Sequence, residues 1–241
     1  AILASAGDRA RMIAGGTDLA VLIKRGEVRP EILVDLGRVS GMSHVEVERA
    51  SGRVEIGALA THAGLGGDDA LNGRATALAE ACRAVGSPQI RGRGTIGGNI
   101  VNASPAADGA VALLALDAAV RVRGGGSSGG GSETVPLTEF LEGPGKAALA
   151  PSEFVTAVTF DLPEEGARSS YSKVGQRRAL AIAIASVAAV FEPEAARVRI
   201  ALGSVAPTPV RATVAEELFA AEWGRSTDRS ALIERVAALA V

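Results

Sequence analysis

"RGRGTIGGNIVNASPAAD", residues 91–108, places four glycines, two arginines, two asparagines and an aspartate in eighteen positions. Gly92, Gly94 and Gly97 read G-x-G-x-x-G, and Asp117 lies twenty residues past Gly97. That is the spacing of a Rossmann dinucleotide fingerprint, but the flanking sequence argues against one. A Rossmann fingerprint leaves a hydrophobic strand and opens a helix directly. Here "AVGSPQIR" precedes the glycines, broken by Gly86 and Pro88, and "NIVNASP" is not expected to start a helix because Pro105 interrupts it. A phosphate cradle fits better. Thr95, Ile96, Gly97, Gly98, Asn99 and Ile100 can turn successive backbone N–H groups inward, since glycine accepts positive φ and has no Cβ in the way. Ser104 is expected to cap a helix whose first residue is Pro105, with Asp108 in its first turn. Simple turns would use the same residues, so one such loop decides little.

A second loop of the same kind lies upstream. In "IAGGTDL", Ile13, Ala14, Gly15, Gly16, Thr17, Asp18 and Leu19 join a short strand to a helix expected over residues 18–25. Its N–H groups and the helix start form another anion site, with Thr17 as a hydroxyl donor. Two such nests suit a ligand with two phosphates. "GPGKA", residues 143–147, is not a Walker A loop, because it lacks the first glycine spacing and the Ser/Thr.

Composition excludes several other classes. A chain of 241 residues with 47% hydrophobic residues can bury a sizeable core as one large domain or two smaller ones. Net charge of −2, with five Phe, one Tyr and one Trp, offers nucleic acid neither a basic footprint nor a stacking platform. The longest uncharged apolar run, residues 179–191, is too short to span a bilayer and reads as a buried strand. Cys82, His44 and His62 are the whole Cys/His inventory, too few for an iron–sulfur cluster or a structural zinc, so no metal site is expected. Each of the three reads as structural, with Cys82 on the apolar face of a helix. The lone cysteine points to a cytoplasmic protein. No secretory signal is visible, and the chain opens inside a helical pattern at Ala1, so further residues are expected to precede it.

The rest of the chain reads as a mixture of helices and strands. Residues 11–36 form a β-α-β unit, and "SHVEVER" with "GRVEIGALA" alternates as a hairpin around residues 50–52. Apolar spacing at Leu71, Ala75, Leu78, Ala81, Cys82 and Val85 predicts one helix over residues 71–85. A helix reaching Leu116 and the strand "AAVRVRG" follow. "GGGSSGGGS", residues 124–132, has linker composition, and between two strand-like pieces it is expected to be a hairpin loop, natural or engineered. "EFVTAVTFDLP" is the next strand. Three long strands from Ser169 and helices over 213–221 and 228–240 suggest a separate α+β domain.

"AGGTDL" and "TIGGNIVNASPAAD" together resemble the two FAD-pyrophosphate segments of the molybdenum hydroxylase flavoprotein family. That family includes the medium subunit of aerobic carbon monoxide dehydrogenase and the flavin domain of xanthine dehydrogenase. The resemblance runs on through "VPLTEFLEGPGKAALAPSEFVTAVTFDLP", "YSKVGQRRALAIAIASVAAVF" and "VRIALGSVAPTPVRAT", covering essentially the whole chain in order. It implies an α+β architecture: a vanillyl-alcohol-oxidase-like (PCMH-type) FAD-binding domain in two subdomains, residues 1–57 and 58–163, then a C-terminal flavoprotein domain over 164–241. Residues 13–19 match the first pyrophosphate segment and residues 95–100 the second. Asp108 matches an acid that contacts FAD, Val155 an apolar residue that packs on it, and Lys173 a lysine that reaches it. A lysine at the pyrimidine edge would favour the anionic reduced flavin; a solvated strand lysine is the plainer alternative.

Two features depart from the family pattern. The short N-terminal strand region is lacking, and Ala181 stands where "RxxDIA" often carries an acid. The resemblance further implies an iron–sulfur small subunit and a molybdopterin-binding large subunit as partners, with NAD, quinone or oxygen as terminal acceptor. No dedicated general base is apparent. A stand-alone FAD oxidase or reductase of the same fold, and a non-catalytic domain with structural glycine loops, are the competing expectations.

Overall fold

The structure, a computed structural model, describes residues 2–124, 131–177 and 180–240. After a short helix α1 (Ile2–Ala6), the expected β-α-β unit forms from β1 (Ala10–Ile13), α2 (Leu19–Arg25) and β2 (Ile32–Asp35). β1 and β2 pair in parallel, Ala10 with Ile32 through Ile13 with Asp35. Gly26, at φ +74°, ends α2 in the left-handed conformation that glycine adopts most readily.

A five-stranded antiparallel sheet forms the centre. The expected hairpin, β3 (Val45–Val47) and β4 (Arg53–Gly57), joins β5 (Ala119–Gly124), β6 (Ser132–Pro136) and β9 (Glu153–Asp161) in the order β3-β4-β9-β5-β6. The division expected at residue 57 cuts this sheet, because β4 is bonded to β9 from Arg53↔Asp161 to Gly57↔Ala157. β5 and β6 pair up to Arg123↔Ser132, so strands flank the Gly/Ser run as a hairpin requires. Residues 125–130 of that run lie outside the described residues.

Helices cover the sheet. α3 (His62–Gly66), α4 (Asp69–Arg74) and α5 (Thr76–Ala84) follow β4. The single helix expected over 71–85 is therefore two, parted at Ala75 (φ −108°, ψ 36°), with Asp68 capping the first through the N–H groups of Ala70 and Leu71. Then come α6 (Pro88–Arg91), α7 (Ile96–Val101) and α8 (Asp108–Ala115), every residue of α8 being buried. A short α9 (Leu137–Phe140) and a small hairpin, β7 (Leu141–Gly143) with β8 (Lys146–Ala147), lead to β9.

The C-terminal part is an antiparallel sheet, β10 (Arg168–Gly175), β11 (Ala183–Glu192), β12 (Arg197–Gly203) and β13 (Val210–Arg211), followed by α10 (Thr213–Glu222) and α11 (Arg229–Leu239). β11 is not the uniformly buried strand expected from its apolar run. Ser186, Ala188, Val190 and Glu192 are buried at period two, while Leu180, Ile182 and Ile184 are exposed. One face of the sheet packs on α5 and α8, and Tyr171, Ala188, Val190 and Ala201 share a core with Leu78, Val111 and Leu113. The other face carries a second core, Ile200, Phe219, Leu232 and Val236, with Trp223 stacked on Phe219. No helix among the described residues is long and apolar enough to cross a membrane.

Candidate functional site

Both glycine loops open onto one cavity of about 690 Å³. The size suits a cofactor-scale ligand. In the first loop Gly16 sits at φ +75°, a left-handed position favouring glycine. The backbone N–H groups of Gly15, Gly16 and Thr17 make no hydrogen bond among the described residues. Unspent donors on a glycine turn are what an anionic group requires. The Thr17 hydroxyl donates to Asp18 Oδ2 (3.1 Å), and Asn102 Nδ2 lies 3.5 Å from Asp18 Oδ1, joining the first loop to the second segment. Gly15 lies against the Arg93 carbonyl so closely that a Cβ there would come within 2.7 Å of the carbonyl carbon.

The second segment is built differently from the expected nest. Residues 96–101 form α7, and the Thr95 hydroxyl caps it by accepting the Gly98 N–H at 3.1 Å. Ile96 and Gly97 donate to the carbonyls of Ala60 and Ala58, both at 2.9 Å, and Asn99 donates to Thr95. These N–H groups are spent on the protein, so they form no inward row. Pro105 limits the helix without preventing its start. The Rossmann reading still fails, because α6 rather than a strand precedes the glycines. Pro105 does not open the next helix either. Ser104 Oγ accepts the Ala106 N–H (3.2 Å), and α8 begins at Asp108, three residues later than expected. What this segment offers the cavity is Asn99, whose buried Oδ1 has no partner among the described residues, together with Ser104 and Asp108.

Asp108, Val155 and Ala181 line the cavity, as do Leu180 and Ile182. Val155 is held by a bulge where β9 passes β5, Arg121 facing Ala157 and Val122 facing Val155. The bulged Thr156 accepts the Ala58 N–H at 2.9 Å, tying β9 to the strand end that supports α7. Ile96, Ile100 and Lys173, by contrast, are not part of the cavity wall. The two isoleucines are fully buried core residues. Lys173 stands behind Asp108, its Nζ 2.9 Å from Oδ2 and 2.7 Å from the Ala84 carbonyl, so it is no solvated strand lysine.

His62, expected to be structural, lines the cavity. It follows the α3 cap Thr61, its N–H donates to Gly94 O at 3.0 Å, and its buried Nδ1 has no partner among the described residues. A single histidine in "ATH" carries no pattern that would have marked it. Desolvation by burial lowers its pKa to about 4. The unfolded chain, titrating near ~6.5, takes up a proton between those values that the folded chain refuses. Stability contributed by neutral His62 is thus full above about 6.5 and is lost progressively as pH falls toward 4. Urea unfolding at pH 7.5 and 4.5 should show His62→Leu losing less than the natural chain over this interval, by on the order of 2 kcal/mol. Equal losses would show that the imidazole is not held neutral. Cys82 is fully buried, its pKa raised to about 12 by desolvation, and takes no part in the site.

The cavity fits a flavin dinucleotide: unspent N–H donors at one loop, orphaned polar atoms on His62 and Asn99, and a buried carboxylate among apolar walls. Residues 1–163 match the model of the FAD binding domain in molybdopterin dehydrogenase, and residues 170–240 that of the CO dehydrogenase flavoprotein C-terminal domain. The chain belongs to the molybdopterin dehydrogenase FAD-binding family. FAD is its cofactor, and its α+β architecture is the one the sequence implied.

Among relatives, this flavoprotein is similar to the carbon monoxide dehydrogenase medium chain of Afipia carboxidovorans, 31% identical over 98% of this chain and 80% of the relative. The nicotinate dehydrogenase FAD-subunit of Eubacterium barkeri is 35% identical over 72% of this chain, a match spanning 57% of that subunit. Among solved structures, a carbon monoxide dehydrogenase from Hydrogenophaga pseudoflava superimposes with a TM-score of 0.88 at 28% identity, over 99% of this chain and 80% of that one.

Proposed function

We propose that this chain is the flavoprotein subunit of a molybdenum hydroxylase-type dehydrogenase in the cytoplasm. Electrons reach its FAD from iron–sulfur clusters of a small subunit, themselves supplied by a molybdopterin-binding large subunit, and leave to NAD, quinone or oxygen. Bound FAD supplies the redox chemistry. The residues of the chain bind it, orient it and shield it from water. Gly15, Gly16 and Thr17 offer N–H donors to a phosphate, Asn99, Ser104 and His62 add polar partners, Val155 packs on the flavin, and Asp108 accepts from it. Ile96, Ile100 and Lys173 act from behind the wall. We place the division within the FAD-binding part between Arg38 and Val45, which keeps every sheet whole, and the C-terminal domain from residue 164.

The observation that carries this reading is the meeting of both glycine loops at a single cavity, with the Gly15 backbone pressed on Arg93. Denaturing the purified chain and chromatographing its flavin should release FAD and no FMN. The loaded chain should be reduced by artificial dyes, and purification from the native host should bring down an iron–sulfur chain and a molybdopterin chain. Recovery of FMN alone would overturn the dinucleotide assignment. Turnover of an organic substrate by the isolated chain at roughly 1 s⁻¹ or more would make it a self-contained oxidase instead.

A further inference from the structure

Asp108 is the buried carboxylate of the cavity wall, and it is held from behind rather than from the cavity. Its Oδ1 accepts the Tyr171 hydroxyl, and its Oδ2 accepts Lys173 Nζ at 2.9 Å. Tyr171 and Lys173 are two residues apart on β10 and therefore share one face of the strand. Each donor is itself fixed by α5. The Tyr171 N–H donates to Glu80 Oε2 at 2.7 Å, and Lys173 Nζ donates to the Ala84 carbonyl at 2.7 Å. Neither Tyr171 nor Lys173 lines the cavity.

An ionised carboxylate only accepts hydrogen bonds, and each oxygen has about two lone-pair sites. With one site on each oxygen taken from behind, the group cannot rotate freely, and its remaining lone pairs are presented to the cavity. A buried charge of this kind persists only when paired and hydrogen-bonded. Burial, and then the neighbouring Asp108 carboxylate, raises the Tyr171 pKa, which keeps the phenol protonated and donating. We infer that Tyr171 is a positioning residue for flavin binding: its hydroxyl, with Lys173, orients Asp108 so that the carboxylate meets a donor of the bound FAD. The inference rests on the assignment of this cavity to FAD, which binding by the natural chain checks on its own.

The experiment is a double-mutant cycle read as FAD dissociation constants, from quenching of flavin fluorescence on titration with apoprotein. Tyr171→Phe keeps the buried ring and removes only the hydroxyl. It should weaken FAD binding about tenfold, the scale of a hydrogen bond to a charged group. The same change on an Asp108→Ala background should alter the constant less than about twofold, because the group through which Tyr171 acts is gone. If Asp108→Ala does not fold, Tyr171→Phe and Lys173→Met are combined instead. Acting on one carboxylate, they should together cost less than the product of their separate losses. An equal loss with and without Asp108, a full product in the second cycle, or no loss from Tyr171→Phe would each overturn the inference. Failure of the natural chain to bind FAD would instead overturn the site assignment.

Discussion

Gly15→Ala is expected to abolish flavin retention. A Cβ at this position would press into the Arg93 carbonyl, 2.7 Å from its carbon and 3.0 Å from the Gly94 Cα. These neighbours are backbone, so no side chain can swing aside, and residues 13–19 would have to move away from residues 91–95. That movement separates the unspent N–H donors of Gly15, Gly16 and Thr17 from His62, which packs beside Gly94. The flavin-to-protein absorbance ratio of the purified variant should fall by at least tenfold, while the far-ultraviolet dichroism stays close to that of the natural chain. Gly73→Ala is the matched control, because a Cβ there meets nothing within 4 Å. Full occupancy in Gly15→Ala would mean that the two loops do not hold one ligand between them.

The largest loss of stability should come from Glu192→Ala, far from the cavity. The Glu192 side chain is 4% exposed, and its Oε2 accepts Arg197 Nε at 2.8 Å. Arg199, 8% exposed, lies 3.1 Å from the same oxygen as an ion pair and donates through Nη1 to Asp117 Oδ2, also at 3.1 Å. Glu192 Oε1 accepts the Glu164 N–H at 3.3 Å. Removing the carboxylate leaves the buried Arg199 guanidinium with the half-exposed Asp117 as its remaining counter-charge among the described residues. Breaking a buried pair from one side costs about 3–5 kcal/mol. For a chain of this length that lowers Tm by roughly 6–20 °C. Fluorescence of Trp223, packed on Phe191 and Phe219 above the same strands, reports the transition. A change under about 1 kcal/mol would show that Asp117 and solvent suffice for Arg199.

Features that depend on neighbours in sequence were legible. Alternation at 45–57 marked the β3–β4 hairpin, and the strands flanking residues 125–130 marked β5 and β6. What escaped depends on partners far along the chain. Thr95–Asn99 has the composition of a nest, but the N–H groups of Ile96 and Gly97 find the carbonyls of Ala60 and Ala58, well upstream, and those of Gly98 and Asn99 turn back to Thr95. Asp108 was expected at the site, yet its partners come from a strand more than sixty residues on. Strand parity could have added Tyr171 once Lys173 was in hand. The break at Ala75 was hidden because alanine is the strongest helix former, so its residue type argues for continuation. Ile182 and Ile184 look like core by composition, and only the placement of β11 leaves them outside.

The shared core has a consequence for modular use of this protein. Tyr171, Ala188, Val190 and Ala201, all from the C-terminal sheet, close over α5 and α8 in the same apolar cluster that supports the central strands. A gene fragment ending near residue 163 would encode both glycine loops but leave that apolar surface open to water and strip Asp108 of both its donors. Such a fragment should be recovered as insoluble aggregate rather than as a small yellow tag. Recombination between relatives, in the laboratory or in nature, would then have to exchange the two parts together, since each is the other's missing wall.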